Sequence, residues 1–207
     1  MQEQLSLFSR LPPLSNQEAI DVIAELDYKE DYINESKHNM LMKRIDEQQW
    51  LNDLKRRVQH YGYKYDYKAR RVARDMRIGN GKLPEWLEEL SEKLWKDRHM
   101  PKIADQVIVN EYRPGQGISR HIDCEPCFED TIVSLSLGSG CFMDFTNKDE
   151  TKKISVWLEP RSIVVLKNEA RYKWLHGIAA RKSDKLDGYK HDRRRRVSLT
   201  FRKVIID

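Results

Sequence analysis

Six short apolar runs between residues 107 and 201 constrain this chain more than any other feature. They are VIVNEY, TIVSLSL, CFMDF, ISVWL, SIVVL and VSLTF. β-Branched and aromatic residues dominate each run, and turn residues separate them. Short strands at this spacing predict a sandwich or an open barrel. The first third reads as helical. Ser15-Asn16-Gln17-Glu18 has the spacing of a capping box, and Ala19, Ile20, Ile23 and Leu26 follow on one helical face. A second helix is expected from about Lys37 to Arg57, through Leu41, Ile45, Leu51 and Leu54. A third is expected over about Pro84 to Asp97, where Trp86, Leu90 and Leu94 recur four residues apart. Helices first and strands later give an α+β class, with a β core backed by N-terminal helices.

At 207 residues the chain has room for one domain with an appended element. No run reaches the ~18 apolar residues of a membrane span, and the start lacks the layout of a secretory signal. A cytoplasmic location is therefore expected. Cys124, Cys127 and Cys141 are too few and too clustered for a secreted disulfide framework. Free thiols are expected, since a zinc site would need ligands beyond Cys141. The net charge of +5 is compatible with a polyanionic partner without requiring one.

The chemistry gathers around Arg120-His121-Ile122-Asp123. In a strand, residues two apart share a face, so His121 and Asp123 can reach one ion together. Two imidazoles and one carboxylate, with the opposite side open, form the facial triad of non-haem Fe(II) oxygenases. The third ligand must come from a distant strand, and His176 in WLHG is the best placed, although His38, His60, His99 and His191 are also present. A zinc hydrolase could use the same three ligands. A second feature separates the readings. In Arg196-Val-Ser198-Leu-Thr200-Phe-Arg202, one strand face is polar and the other is apolar. Such a strand lines either solvent or a ligand pocket, and two guanidiniums there could grip a dicarboxylate.

The ordered set N-x-Y-x-P-G-x(5)-H-x-D, S-L-S-L-G, H-G-I and R-x(5)-R resembles the AlkB family of Fe(II)/2-oxoglutarate dioxygenases. Its pieces are Asn110 to Asp123, Ser134 to Gly138, His176 to Ile178, and Arg196 to Arg202. The resemblance spans about 28 to 203 and is strong from residue 107 onward. It implies a double-stranded β-helix (jelly-roll) domain over residues 28–207, a nucleotide-recognition lid over 55–80, and a helical extension over 1–27. It also implies that His121, Asp123 and His176 bind Fe(II), and that Asn110 and Tyr112 hydrogen-bond 2-oxoglutarate. Arg196 would pair with the distal carboxylate of that cosubstrate, and Arg202 would lie near its metal end. Ser198 stands where the family often has Asn. Such an enzyme consumes 2-oxoglutarate and O2 and releases succinate and CO2. An alkyl carbon hydroxylated on nitrogen then leaves as an aldehyde.

For the substrate, Tyr61, Tyr63, Tyr65 and Tyr67 alternate and would share one strand face beside Lys55, Arg56 and Arg57. That pattern suits stacking of a flipped or single-stranded base with phosphate contact, and equally suits tyrosines that plug the core. Tyr63 matches the family's lid position. Glu125 could face an alkylated base or be an exposed loop acid, and Arg171 matches a family arginine near the site. Arg193, Arg194 and Arg195 are either solvated or phosphate contacts. The wording HYGY, PGQGI, HID and FEDTIVSLSLGS is similar to the branch that hydroxylates modified wobble uridines of transfer RNA. Members of that branch carry an RNA-recognition domain and a methyltransferase as well, which do not fit in 207 residues. The expectation is therefore repair of alkylated DNA or RNA by a monomer without membrane attachment. Transfer-RNA hydroxylation, a protein substrate and a non-catalytic nucleic-acid-binding domain are the alternatives.

Overall fold

In chain order, the computed structural model has α1 (Asn16–Val22), β1 (Leu26–Lys29), α2 (Glu35–Asp46), β2 (Val58–Tyr61), α3 (Glu85–Lys96), β3 (Gln106–Tyr112), β4 (Ile118–His121) and β5 (Ile132–Gly138). It continues with β6 (Cys141–Asn147), β7 (Lys153–Leu158), β8 (Ile163–Leu166), α4 (Asn168–Tyr172), β9 (Trp174–Ile178), β10 (Ser183–Leu186), β11 (Tyr189–Asp192) and β12 (Arg196–Arg202). It describes residues 16–52 and 54–206. Ser15 of the expected capping box lies outside them. The boundary expected at 27/28 falls inside β1, which pairs with β8. No helix among the described residues is long and apolar enough to cross a membrane.

Six strands form one antiparallel sheet in the order β1-β8-β5-β12-β3-β2, and four form a second in the order β4-β9-β6-β7. β10 and β11 form a separate antiparallel hairpin, with His191 packed 5.7 Å from the Trp157 ring of β7. Strand alternation sorts the larger sheet into two faces. Val107 and Val109 of β3, Leu135 and Leu137 of β5, and Val197, Leu199 and Phe201 of β12 pack with Leu41 and Ile45 of α2 and Leu87, Leu90 and Leu94 of α3. The other face turns toward the smaller sheet, where Met143, Phe145, Val156, Val164 and Leu166 form a second apolar cluster. The result is helices, large sheet and small sheet in three layers, the double-stranded β-helix class expected. Polar residues of the inner face, among them Arg196, Ser198, Thr200 and Arg202 along β12, line the site.

Two helical expectations change, and the first is that α1 ends at Val22, which leaves Leu26 in β1 and not on the helix face. α3 forms as expected, but α2 ends at Asp46 rather than near Arg57. Leu51 leaves the helix because it exchanges two backbone hydrogen bonds with Val58, at 2.8 and 3.0 Å. The Gln59 side chain donates to the Ile45 carbonyl at 2.9 Å, beside the Gln48 nitrogen at 3.2 Å, and so caps the helix end. The expected tyrosine strand is also broken. β2 stops at Tyr61 because Gly62 has φ +75°, and a Cβ there would stand 1.9 Å from the Asp105 carbonyl oxygen. Only glycine fits both conditions.

Candidate active site

β12 lies between β3 and β5, and its register sets Arg196 opposite Tyr112 and Ser198 opposite Asn110. His121 pairs with His176 across β4 and β9. These strands enclose a cavity of about 540 Å³. His121, Asp123 and His176 lie in its wall with Asn110, Tyr112, Arg196, Ser198 and Arg202. Every residue expected to hold metal or cosubstrate therefore reaches one space.

The triad fits a divalent ion. One ligand atom from each of His121, Asp123 and His176 lies within 4.8 Å of the others. His121 Nδ1 is 2.9 Å from the Ser119 carbonyl. A carbonyl only accepts, so Nδ1 carries the proton and Nε2 keeps its lone pair for a metal. Burial, reinforced by neighbouring His121, pushes the His176 pKa down to about 3, so that ring is a neutral ligand at physiological pH. Burial opposes ionisation of Asp123, but the Arg202 guanidinium and the two histidines hold its carboxyl well below the usual range. Arg202 Nη2 donates to Asp123 Oδ1, while Oδ2 faces His176 Nε2 at 3.5 Å. Soft thiolates are absent from the triad, as suits iron rather than a structural zinc site.

The cosubstrate pocket passes a similar test. Arg196 and Arg202 are buried, and Nε and Nη1 of each have no partner among the described residues. Arg196 Nη2 donates to Ser136 Oγ at 3.0 Å. Buried guanidinium donors require acceptors, and a dicarboxylate supplies them at both ends. Burial raises the Tyr112 pKa, so its phenol stays neutral and can donate. When bound, iron and 2-oxoglutarate supply the oxidising chemistry for O2, and the chain supplies binding and orientation.

The substrate side departs from expectation. Tyr65 and Tyr67 line the cavity, whereas Tyr61 and Tyr63 do not. The turn at Gly62 breaks their common face. Tyr61 packs edge-on against Trp86 of α3 at 5.6 Å, and its hydroxyl donates to Gln59 Oε1. Tyr63 is buried, and its hydroxyl accepts from Arg77 Nη2 at 3.3 Å. Glu125 is exposed and pairs with Lys148 at 3.6 Å, because β4 ends at His121 and the alternation stops before it. Arg171 is 1% exposed and donates to the carbonyls of Asp123 and Cys124 at 3.0 and 3.2 Å. It lies beside the triad, as expected, and braces the backbone of Asp123.

Cys124 and Cys127 form a disulfide, contrary to the expected free thiols. Their C-x-x-C turn brings the Cα atoms to 5.3 Å, within bonding range. Arg193 and Arg195 are engaged by acids, Asp184 for the first and Glu111 and Asp46 for the second. Lys55, Arg56 and Tyr67, which the sequence pattern grouped as a basic tyrosine face, line the cavity, and so does Arg70. Their shared signal is the run of basic and aromatic residues over 55–70.

The 2OG-Fe(II) oxygenase superfamily matches residues 6–202 of this chain. The chain belongs to that superfamily. Its relatives make it an AlkB-family dioxygenase. It is 38% identical over 176 residues to an uncharacterised protein of Acanthamoeba polyphaga mimivirus, covering 84% of this chain and 82% of that one. It is 37% identical over 201 residues to the Macaca fascicularis protein named tRNA (carboxymethyluridine(34)-5-O)-methyltransferase ALKBH8. That match covers 84% of this chain but only 30% of the Macaca protein. Other relatives are named as RNA or DNA demethylases. Among solved structures, OsALKBH1 superposes with a TM-score of 0.67 at 16% identity, covering 86% of this chain and 96% of its own, which supports the fold.

Proposed function

We propose that this AlkB-family enzyme oxidises an alkyl group on an unpaired or flipped nucleic-acid base and, where the carbon sits on nitrogen, removes it as an aldehyde. The carrying observation is the composition of the single cavity that holds the triad. Tyr65 and Tyr67 meet edge to face at 4.9 Å in its wall, and Lys55 and Arg70 line it as well. Lys64, Lys68, Arg71 and Arg74 are exposed on the same segment. Aromatic faces beside cations suit a base and its flanking phosphates. The tyrosines are tied to the metal side through Phe128: Tyr65 lies 5.7 Å from that ring, and Arg202 lies 4.6 Å above it.

A second reading is favoured by the similarity to the ALKBH8 protein. On a carbon-linked substituent of a transfer-RNA uridine, the same oxidation would stop at a stable hydroxyl. One mass-spectrometric experiment tests both readings on methylated single-stranded DNA, methylated RNA and transfer RNA, incubated with Fe(II), 2-oxoglutarate and O2. Loss of a methyl mass supports dealkylation. A gain of one oxygen that persists supports hydroxylation. No change in any nucleic acid, while succinate still forms with a peptide substrate, refutes both.

A further inference from the structure

Arg56 is a charged residue in the cavity wall whose task the triad and the two cosubstrate arginines do not explain. Its Nε donates to Asn110 Oδ1 at 2.9 Å, and its guanidinium lies 5.8 Å from the Tyr112 ring centre. The local chain holds it there firmly. The Arg57 carbonyl accepts from the Glu111 backbone at 3.0 Å, and the Arg57 side chain makes two hydrogen bonds to the Glu111 carboxylate. Consecutive arginines thus grip consecutive residues of β3, with Arg56 on the cavity side and Arg57 on the helix side.

An asparagine amide has one accepting end and one donating end. A guanidinium only donates, so Arg56 requires that Asn110 turn Oδ1 toward it and leave Nδ2 for another partner. A dicarboxylate only accepts, so Nδ2 is the end it needs. We infer that Arg56 is a positioning residue for cosubstrate binding, fixing the Asn110 amide with its donor available to 2-oxoglutarate. Without this contact the amide turns freely, and in half of its orientations it sets an oxygen against a carboxylate. This inference rests on the assignment of Asn110 to the cosubstrate.

The test measures 2-oxoglutarate binding to Mn(II)-loaded protein by calorimetry, without turnover. Arg56→Met keeps the length of the side chain and loses the donor, and it should raise the Kd about tenfold. Arg56→Lys keeps a charged donor and should return the Kd to within about threefold of wild type. In an Asn110→Ala background, Arg56→Met should have no further effect, because the two residues act as one unit. Affinity for a methylated single-stranded oligonucleotide, read by anisotropy, should fall by a smaller factor in Arg56→Met than 2-oxoglutarate affinity does. An unchanged 2-oxoglutarate Kd in Arg56→Met, additive effects of the two substitutions, or a loss confined to the oligonucleotide overturns the inference. If Asn110→Ala weakens binding and Arg56→Met does not, only this inference falls. If Asn110→Ala changes nothing, the cosubstrate role of Asn110 falls with it.

Discussion

Glu111 stands between Asn110 and Tyr112 on β3, so its side chain leaves the sheet on the face away from the cavity. Its carboxylate is 2% exposed and accepts from Arg57 Nε at 2.6 Å, Arg57 Nη2 at 2.7 Å and Arg195 Nε at 2.7 Å. Glu111→Gln preserves the shape but removes the charge, and it sets an NH2 group against a guanidinium. Breaking a fully buried pair costs about 3–5 kcal/mol. Here the arginine side chains are 34% and 35% exposed, and Arg195 keeps Asp46 as a partner. Solvent screening therefore reduces the expected loss to about 2–3 kcal/mol. In urea unfolding this lowers the midpoint by about 1 M, taking a slope of about 2 kcal/mol/M. Tm should fall by about 5–10 °C. The pH dependence gives a second check. Burial pushes the Glu111 pKa up, but the hydrogen bonds from Arg57 and Arg195 outweigh it and hold the carboxyl below its ordinary value. A carboxylate depressed in the folded state stabilises above its unfolded pKa of about 4.3, and this contribution is lost as pH falls through the folded value. The gap between wild type and Glu111→Gln should be full at pH 7 and close in acid. A gap below about 0.5 kcal/mol at pH 7, small enough for an ordinary surface change, refutes the reasoning. So does a gap that persists at full size in acid.

Gly177→Ala places a Cβ 2.9 Å from both the Arg120 nitrogen and the Ile118 oxygen, so β4 and β9 must separate at the strands that carry His121 and His176. Mn(II) affinity should drop about 10–100-fold with the fold retained by circular dichroism, and unchanged affinity counts against the triad geometry. Arg196→Lys replaces a two-pronged donor with a point charge and should raise the 2-oxoglutarate Kd about tenfold or more. An unaltered Kd removes Arg196 from the cosubstrate site. Leu199 is fully buried on the helix side of β12, so Leu199→Ala should cost about 2–5 kcal/mol of stability in urea unfolding. Its 2-oxoglutarate Kd should stay as in wild type, and a shifted Kd would show that the two faces of β12 are not independent.

What was legible in the sequence follows physical range. The polar face of β12 could be read because strand alternation is local, and a face of arginines and hydroxyls has no place in an apolar core. The end of α2 could not be read, since Leu51 and Leu54 continue the helical period. Only the pairing of Leu51 with Val58 and the Gln59 side chain on the Ile45 carbonyl override it. The break between Tyr61 and Tyr63 did have a signal. A glycine inside a strand pattern marks a bulge or a close approach, and Gly62 meets the Asp105 carbonyl. Glu125 lies off the cavity wall for a related reason: β4 ends at His121, and the chain then enters a turn in which the Cys127 nitrogen donates to the Cys124 carbonyl.

Position parity therefore separates chemistry from stability on β3 and β12, and Arg202 is where the separation ends. It lies on the cavity face, yet its Nη2 holds Asp123 Oδ1, and both side chains are almost fully buried. In the metal-free protein, Arg202→Met leaves the Asp123 carboxylate without its arginine. Loss of one partner from a buried pair costs about 3–5 kcal/mol, so the metal-free variant should be markedly less stable than wild type. A bound divalent ion neutralises the same carboxylate and binds only the folded state, so it stabilises by mass action. Mn(II) should therefore bind Arg202→Met more tightly than wild type and raise its Tm by more degrees, because it replaces a cation that wild type already has. Thermal melts with and without saturating Mn(II) decide the point. An equal or smaller Mn(II) shift in the variant would mean that Arg202 does not serve as the counter-charge of the metal ligand.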